Sequence, residues 1–166
     1  MQRVLELLDR TLFSAISLLL LVMVVDVTWQ VFTRYILEDP APWTEEIARY
    51  VFTWEIFLGA ALAFGRGAHI VVDAVMAVAA GRVRRVVAVL GYLATLAMLL
   101  PLVWFGAEMV ELTSNTYATA SQLNIGVVYA ALPVGAAIGA VYVVLHLVTV
   151  LRGGEPTHAE ASTLVD

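Results

Sequence analysis

The sequence contains no cysteine and no lysine, and only 14% of its 166 residues are charged. Without cysteine, the chain has no disulfide framework, no thiolate nucleophile and no cysteine metal site. All nine basic residues are arginine, they form no patch, and the net charge is -5, so nucleic acid is not an expected partner. No nucleophile motif, phosphate-binding loop or pair of loop carboxylates is present either, which argues against an enzyme.

Apolar residues are in excess. They make up 61% of the chain, and the mean hydropathy is +0.90. One soluble core of this size cannot bury so much apolar surface, which predicts an all-α integral membrane protein. Four runs reach the roughly 20 residues that a helix needs to cross a bilayer. These runs are about Leu12 to Ile36, about Trp43 to Phe64, about Val86 to Val110 and about Ile125 to Leu151.

Outside these runs the sequence changes character. Residues 1–11 are predicted to be a retained amphipathic start on the cytoplasmic side, residues 12–151 the four-helix membrane domain, and residues 152–166 a flexible cytoplasmic tail. The middle connector, Gly65 to Arg85, contains an apolar patch at Ile70 to Ala80 that is too short to span. We expect it to be a short amphipathic segment that lies in the interface, in contact with membrane lipids.

The distribution of arginine predicts the orientation. Most arginines fall at the amino terminus, in the middle connector or after the fourth run: Arg3, Arg10, Arg66, Arg82, Arg84, Arg85 and Arg152. Because positive charge is retained on the cytoplasmic side, both termini and the middle connector are predicted to be cytoplasmic. The connectors Glu38 to Pro42 and Glu111 to Asn124 are then outside.

Among the charged residues of the predicted spans, Asp26, Arg49 and Glu55 lie furthest from the polar connectors and termini. Such residues are costly in a bilayer and usually face protein, water or each other. One interpretation makes Asp26 or Glu55 a carrier of protons or cations. The other makes them structural partners at a helix interface, or groups that stay protonated.

The second run begins with the sequence Trp43-Thr44-Glu45-Glu46. Glu45 and Arg49 have the favourable i, i+4 spacing, Thr44 is a candidate N-cap, and acidic residues suit the start of a helix. The acidic pair is either simple helix-start chemistry or a patch that faces a partner. Trp43 is either an interfacial anchor or a contact with another chain.

Histidine offers little for a metal or haem. His69 and Asp73 have a spacing that lets one support the other on a helix, but no further ligand is near in the sequence. Only His146 lies in a predicted span, whereas a bis-histidine haem needs two facing histidines.

Small residues mark close helix contacts. Ala131, Gly135 and Gly139 form a smooth face on the fourth run, and Pro133 is predicted to kink it. Gly59 and Ala63 form a similar face on the second run. Packing within the chain and packing against another subunit would produce the same pattern.

Several short motifs carry a resemblance to a known family. They are RY at Arg34 and Tyr35, WTEE at Trp43 to Glu46, ARY at Ala48 to Tyr50, the run from Trp54 to Ala61 that ends in LGAA around Gly59, and H-x-x-x-D at His69 to Asp73. In this order the chain resembles the small, DctQ-like membrane subunit of tripartite ATP-independent periplasmic (TRAP) transporters, from about Leu12 to Leu151.

The resemblance implies a small accessory subunit in a bacterial inner membrane. Its expected partners are a large polytopic membrane subunit, which carries the solute and sodium sites, and a periplasmic substrate-binding protein that delivers an organic anion such as a dicarboxylate. Uptake is then symport driven by an ion gradient, and this chain binds no cofactor itself. Interface or structural roles are implied on the outer side for Arg34, Trp43, Glu45, Glu46 and Arg49, and on the cytoplasmic side for Arg66, His69 and Asp73.

Two other functions remain open from the residues alone. One is a self-sufficient, proton-coupled small exporter that works as a dimer and uses Glu55 or Asp26. The other is an electron-transfer subunit, which the single histidine within the spans disfavours.

Overall fold

The computed structural model describes residues 2–66 and 81–152, and these are built of helices. The helices are α1 (Gln2–Tyr35), α2 (Pro42–Gly65), α3 (Gly81–Thr113), α4 (Ile125–Tyr129) and α5 (Ala131–Leu151). Within the described ranges, four stretches are long and apolar enough to cross a membrane, with α4 and α5 counted as one. The predicted all-α, four-span fold is confirmed.

Two helices begin earlier than predicted. Helix α1 starts at Gln2, so the predicted amphipathic start continues into the first span without a helix boundary. Helix α3 starts at Gly81, which places Arg84 and Arg85 in its first two turns rather than in the connector. The predicted interfacial segment falls mainly on residues 67–80, and these lie outside the described residues, as does the tail after residue 152.

The start of α2 differs from the prediction at Thr44. Ala41 precedes the helix, Pro42 is its first residue, and no side chain caps it. Proline suits this position because its ring fixes a helical φ and its missing N–H would have no partner there. Thr44 is therefore inside the helix, fully buried, and its hydroxyl donates to the Ala41 carbonyl at 2.7 Å. The prediction of Thr44 as N-cap is wrong.

The fourth span is interrupted near its beginning. Helix α4 ends at Tyr129 and α5 begins at Ala131, with a turn at Ala130 between them. Pro133 lies one turn further on and has no N–H to donate to the Tyr129 carbonyl. The interruption is a single residue, because Ala130 keeps helical backbone angles, its N–H donates to the Gly126 carbonyl and its carbonyl accepts from the Val134 N–H. The kink predicted at Pro133 stays a prediction.

The long helices form a row in the order α1, α2, α5, α3. Extensive contacts join each neighbouring pair, whereas α1 and α3 share no extensive contact in the described part of the chain. The row has two ends. At the loop end lie Tyr35, Pro42 and the loop of residues 114–124; at the terminal end lie the amino-terminal turns of α1 and residues 65 and 66. The central helices α2 and α5 run in the same direction, and α1 and α3 run opposite to them.

The α2 and α5 helices pack closely where α5 has glycine. A methyl group added at Gly135 would lie 2.7 Å from the carbonyl oxygen of Phe57, and one at Gly139 would lie 2.9 Å from the Phe64 ring. Ala131, one turn earlier, is fully buried. The predicted small face on α5 is thus a contact within the chain, as small-residue faces in membrane helices often are.

Gly59 behaves differently. A methyl group added there would have no neighbour within 4 Å. The small face on α2 was expected to pack either within the chain or against another subunit. At Gly59 it does not pack within the described part of the chain.

At the terminal end, Tyr142 and His146 of α5 join three helices. A methyl group added at Gly65 would lie 2.7 Å from the Tyr142 ring, so the end of α2 rests directly on that ring. The Tyr142 hydroxyl donates to Asp9 of α1 at 2.6 Å, and His146 Nε2 donates to the Gly65 carbonyl at 2.9 Å. His146 also stacks on Tyr92 of α3. His146 thus serves helix packing.

The glycines predict a graded series of stabilities. Gly135→Ala is expected to lower the free energy of unfolding by about 1 to 3 kcal/mol, because the backbone of Phe57 cannot move aside easily. Gly139→Ala should cost less, since the Phe64 ring can rotate away. Gly59→Ala should be neutral or stabilising by up to about 1 kcal/mol through helix propensity. Equilibrium unfolding in detergent measures all three, and equal stabilities for the Gly135 and Gly59 variants would contradict this packing.

Candidate functional site

The loop end gathers the acidic start of α2, the end of α1 and the loop of residues 114–124. Glu45 forms an ion pair with Arg34, the last arginine of α1. Both side chains are about half exposed, at 54% and 48%. Exposed pairs of this kind contribute little to stability, so the pair mainly orients the end of α1 against α2. The favourable i, i+4 spacing of Glu45 and Arg49 produces no ion pair between them in the described residues, since Glu45 pairs with Arg34 on the neighbouring helix.

Glu46, the next residue, contacts the loop of residues 114–124 and holds it in place. Its carboxylate accepts from the backbone N–H of Ser121 at 2.8 Å and from the Ser121 hydroxyl at 2.7 Å. The N–H of Ala120 lies 3.2 Å and 3.3 Å from its two oxygens. Hydrogen bonds to an ionised acceptor are stronger than neutral ones. Glu46 therefore fixes the tip of a loop that lies 75 residues away in the sequence.

The loop is also ordered by its own contacts. Tyr117 and Asn124 form an isolated bridge, and the Ala118 N–H donates to the Leu123 carbonyl at 2.9 Å. Gln122 has a φ of 56°, which turns the chain back between them. The Asn124 side chain caps α4 by accepting from the Gly126 N–H at 2.8 Å. At the loop end, Glu46 thus joins the start of α2 to the ordered loop of residues 114–124, and together they form a defined surface.

Arg49 lies on the side of α2 that faces α4. It is exposed and borders a groove of 430 Å³ together with Tyr50, Thr53 and Tyr129. Among the described residues, Arg49 is in no ion pair.

The two carboxyl groups deeper in the helices contrast with those at the loop end. Asp26 is 8% exposed, and its Oδ2 accepts no hydrogen bond from the described residues. Glu55 is half-buried, and its Oε1 likewise has no partner there. No ion pair joins either of them to Arg49 within the described part of the chain.

Comparison with known proteins decides the family. Residues 22–153 match the family described as "Tripartite ATP-independent periplasmic transporters, DctQ component". The chain belongs to this family. It is also 44% identical over 43 residues to the "Sialic acid TRAP transporter small permease protein SiaQ" of Vibrio cholerae serotype O1. That match spans 26% of this chain and 25% of the length of the Vibrio protein.

Membership of the DctQ family confirms the resemblance seen in the sequence. DctQ components are parts of membrane transporters, and the family is not one of enzymes. With the four apolar stretches, it makes this chain a multi-pass protein of a bacterial inner membrane.

The resemblance implied one group of residues on the outer side and another on the cytoplasmic side. The structure brings the outer-side group together. The members on α1 and the first two turns of α2 all lie at the loop end: Arg34, Trp43, Glu45, Glu46 and Arg49. Trp54 is further along α2 and packs against a cluster that includes Leu12 and Leu58. Arg66 follows the last residue of α2 as its C-cap and is exposed. His69 and Asp73 lie outside the described residues, so their predicted roles stay predictions.

Besides the pair of Arg34 and Glu45, sequence reasoning missed three contacts between residues far apart in the sequence. These are Glu46 with Ser121, Asp9 with Tyr142, and His146 with Gly65. Each joins positions at least 75 residues apart, and no local spacing signals such a pair. Only the polarity of Glu46 and Ser121 at the same predicted membrane surface hinted at the first.

Glu46 and Glu45 form a matched pair for a test. Glu46→Gln removes the ionised acceptor from Ala120 and Ser121, so hydrogen exchange of peptides covering residues 114–124 should accelerate about tenfold. Glu45→Gln removes only the exposed pair with Arg34 and should leave exchange in that loop unchanged. Mass spectrometry of the two variants in detergent measures this. Equal protection of the loop in both would mean that Glu46 does not hold it.

Proposed function

We propose that this DctQ component is an accessory subunit that binds a large translocating subunit and braces the part of it that stays fixed in the membrane. In this assembly the large subunit carries the solute and sodium sites, and a soluble periplasmic protein delivers an organic acid. An ion gradient drives uptake. The family match supports the assembly, and the row of helices supports the bracing role.

The row carries the argument about bracing. A protein that moves a polar solute alone must enclose a path across the membrane, and helices that close into a ring provide one. Here α1 and α3 lie at opposite edges of the row, and the described residues form no such ring. The row instead offers broad apolar faces with large exposed side chains, such as Trp104 at 75% and Phe105 at 65% exposed. Such faces suit contact with lipid and with another membrane protein.

The proposed orientation places the loop end in the periplasm. Its support is the arginine pattern: Arg66, Arg84, Arg85 and Arg152 lie at the terminal end of their helices. Retention of these charges on the cytoplasmic side makes both termini cytoplasmic. The surface made by Arg34, Glu45 and the loop of residues 114–124 then faces the arriving binding protein.

The rival function is a dimeric, proton-coupled exporter. The buried oxygens of Asp26 and Glu55 without hydrogen bonds favour it, because isolated carboxyl groups in a membrane are common in proton pathways. Two copies of the open row are able to enclose a path across the membrane, which the described residues of one copy do not enclose.

Reconstitution separates the two functions. Liposomes with the large subunit and this chain should take up the solute when the periplasmic protein and an ion gradient are supplied. Liposomes with this chain alone should show no transport. Full uptake by the large subunit without this chain would refute the bracing role.

The Glu55→Gln variant also distinguishes a brace from a proton-coupled exporter. A brace has no need of a proton at this position, so uptake by the complex should stay within about twofold of the wild-type rate. A proton-coupled exporter should lose its transport. Uptake rate at matched protein content is the measurement, and loss of transport with intact assembly would favour the exporter.

A further inference from the structure

A second groove lies between α1 and α2, on the loop-end half of the row. Its volume is 610 Å³ and it opens on the surface of the chain. The residues that line it are Leu21, Val22, Val25, Asp26, Trp29, Trp43 and Ile47. All are apolar or aromatic except Asp26. Asp26 is therefore the one polar residue that borders an otherwise apolar groove.

Asp26 is unusual in this setting. It is more than nine-tenths buried, yet its Oδ2 receives no hydrogen bond from the described residues. The nearby cation at the end of α1, Arg34, is already paired with Glu45. A lone carboxyl group at this depth is costly, and a donor that arrives from outside the chain would lower that cost.

The two tryptophans point to the charge of that donor. Trp29 is 47% exposed and Trp43 is 39% exposed, and both border the same groove as Asp26. Indole faces attract ammonium and guanidinium groups, most strongly where water is excluded. A carboxyl group flanked by two indoles thus fits a cationic side chain better than a hydroxyl or amide.

Depth distinguishes a protein helix from a lipid as the source of the cation. Asp26 lies nine residues before the end of α1 at Tyr35, which is about 14 Å along the helix. It is therefore well below the level where the head group of a lipid with an amine sits. A side chain on a spanning helix reaches this level directly, and the groove beside it is apolar enough to receive such a helix.

We propose that this groove receives a transmembrane helix of the large subunit, which places one lysine or arginine against Asp26 between Trp29 and Trp43. This inference rests on the proposed function, because it names where the large subunit docks. It assigns a docking role to the buried carboxyl group of Asp26 and makes Trp43 a contact with another chain.

The first test is assembly with the co-expressed large subunit. Asp26→Asn keeps the shape of the side chain but removes the charge, so association should weaken about tenfold. Glu55→Gln is the matched control, since Glu55 also has a buried oxygen without a partner but does not line the groove. Its association should equal that of the wild type. Titration of the tagged chain with the large subunit in detergent measures both.

A second test does not depend on the folding of an Asp26 variant. The chain has no cysteine, so Val25→Cys provides a single attachment point, and Val25 is 61% exposed in the groove. A benzophenone maleimide attached there should cross-link to the large subunit on irradiation. Mapping the adduct should locate a spanning helix with a lysine or arginine at the same depth.

The outcomes separate this inference from the proposed function. Wild-type affinity of Asp26→Asn, or an adduct only with lipid or with a second copy of the chain, would overturn the docking site while leaving the bracing role intact. Failure of the wild-type chain to associate with the large subunit would overturn both.

Discussion

The close contact between α2 and α5 is the constraint on which the rest of the structure depends. Gly135 lets the α5 backbone approach Phe57 so closely that no larger residue fits without a shift. Each of these helices then carries a further helix on its other side, α1 on α2 and α3 on α5. Because water does not drive apolar surfaces together inside a bilayer, such contacts depend on fit between backbones. A loosened central pair would separate the row into two hairpins.

The partners of the charged side chains differ with their distance from the water at the membrane surface. Glu45 and Glu46, at the start of α2, find donors on α1 and on the loop of residues 114–124. Asp26, deeper in the membrane, finds none among the described residues. A folded subunit that keeps such a group unpaired retains a cost of burial that no donor in the described part of the chain offsets. In the proposed docking site, a cation from the large subunit offsets this cost and favours assembly at a defined position.

Much of the fold could be predicted from local pattern, and most of the site could not. Apolar runs and arginine placement identify four spans because the bilayer fixes helix length and penalises charge. The partners of Glu45 and Glu46 were beyond reach, since Arg34 and Ser121 belong to other elements. Gly59, which has no neighbour within 4 Å, and Gly135, which packs against Phe57, look alike in sequence. The difference comes from the helix beside each glycine, which the local sequence does not specify.

The parallel direction of α2 and α5 has a consequence for biosynthesis. Two neighbours that point the same way must be separated by a helix that returns across the membrane, so α3 is inserted before α2 meets α5. Glu46 leaves the ribosome long before Ser121, and its acceptor oxygens stay solvated in the interval. Closure of the loop end is consequently a late event in maturation, and the α1–α2 hairpin is synthesised before any of its contacts with α5 can form.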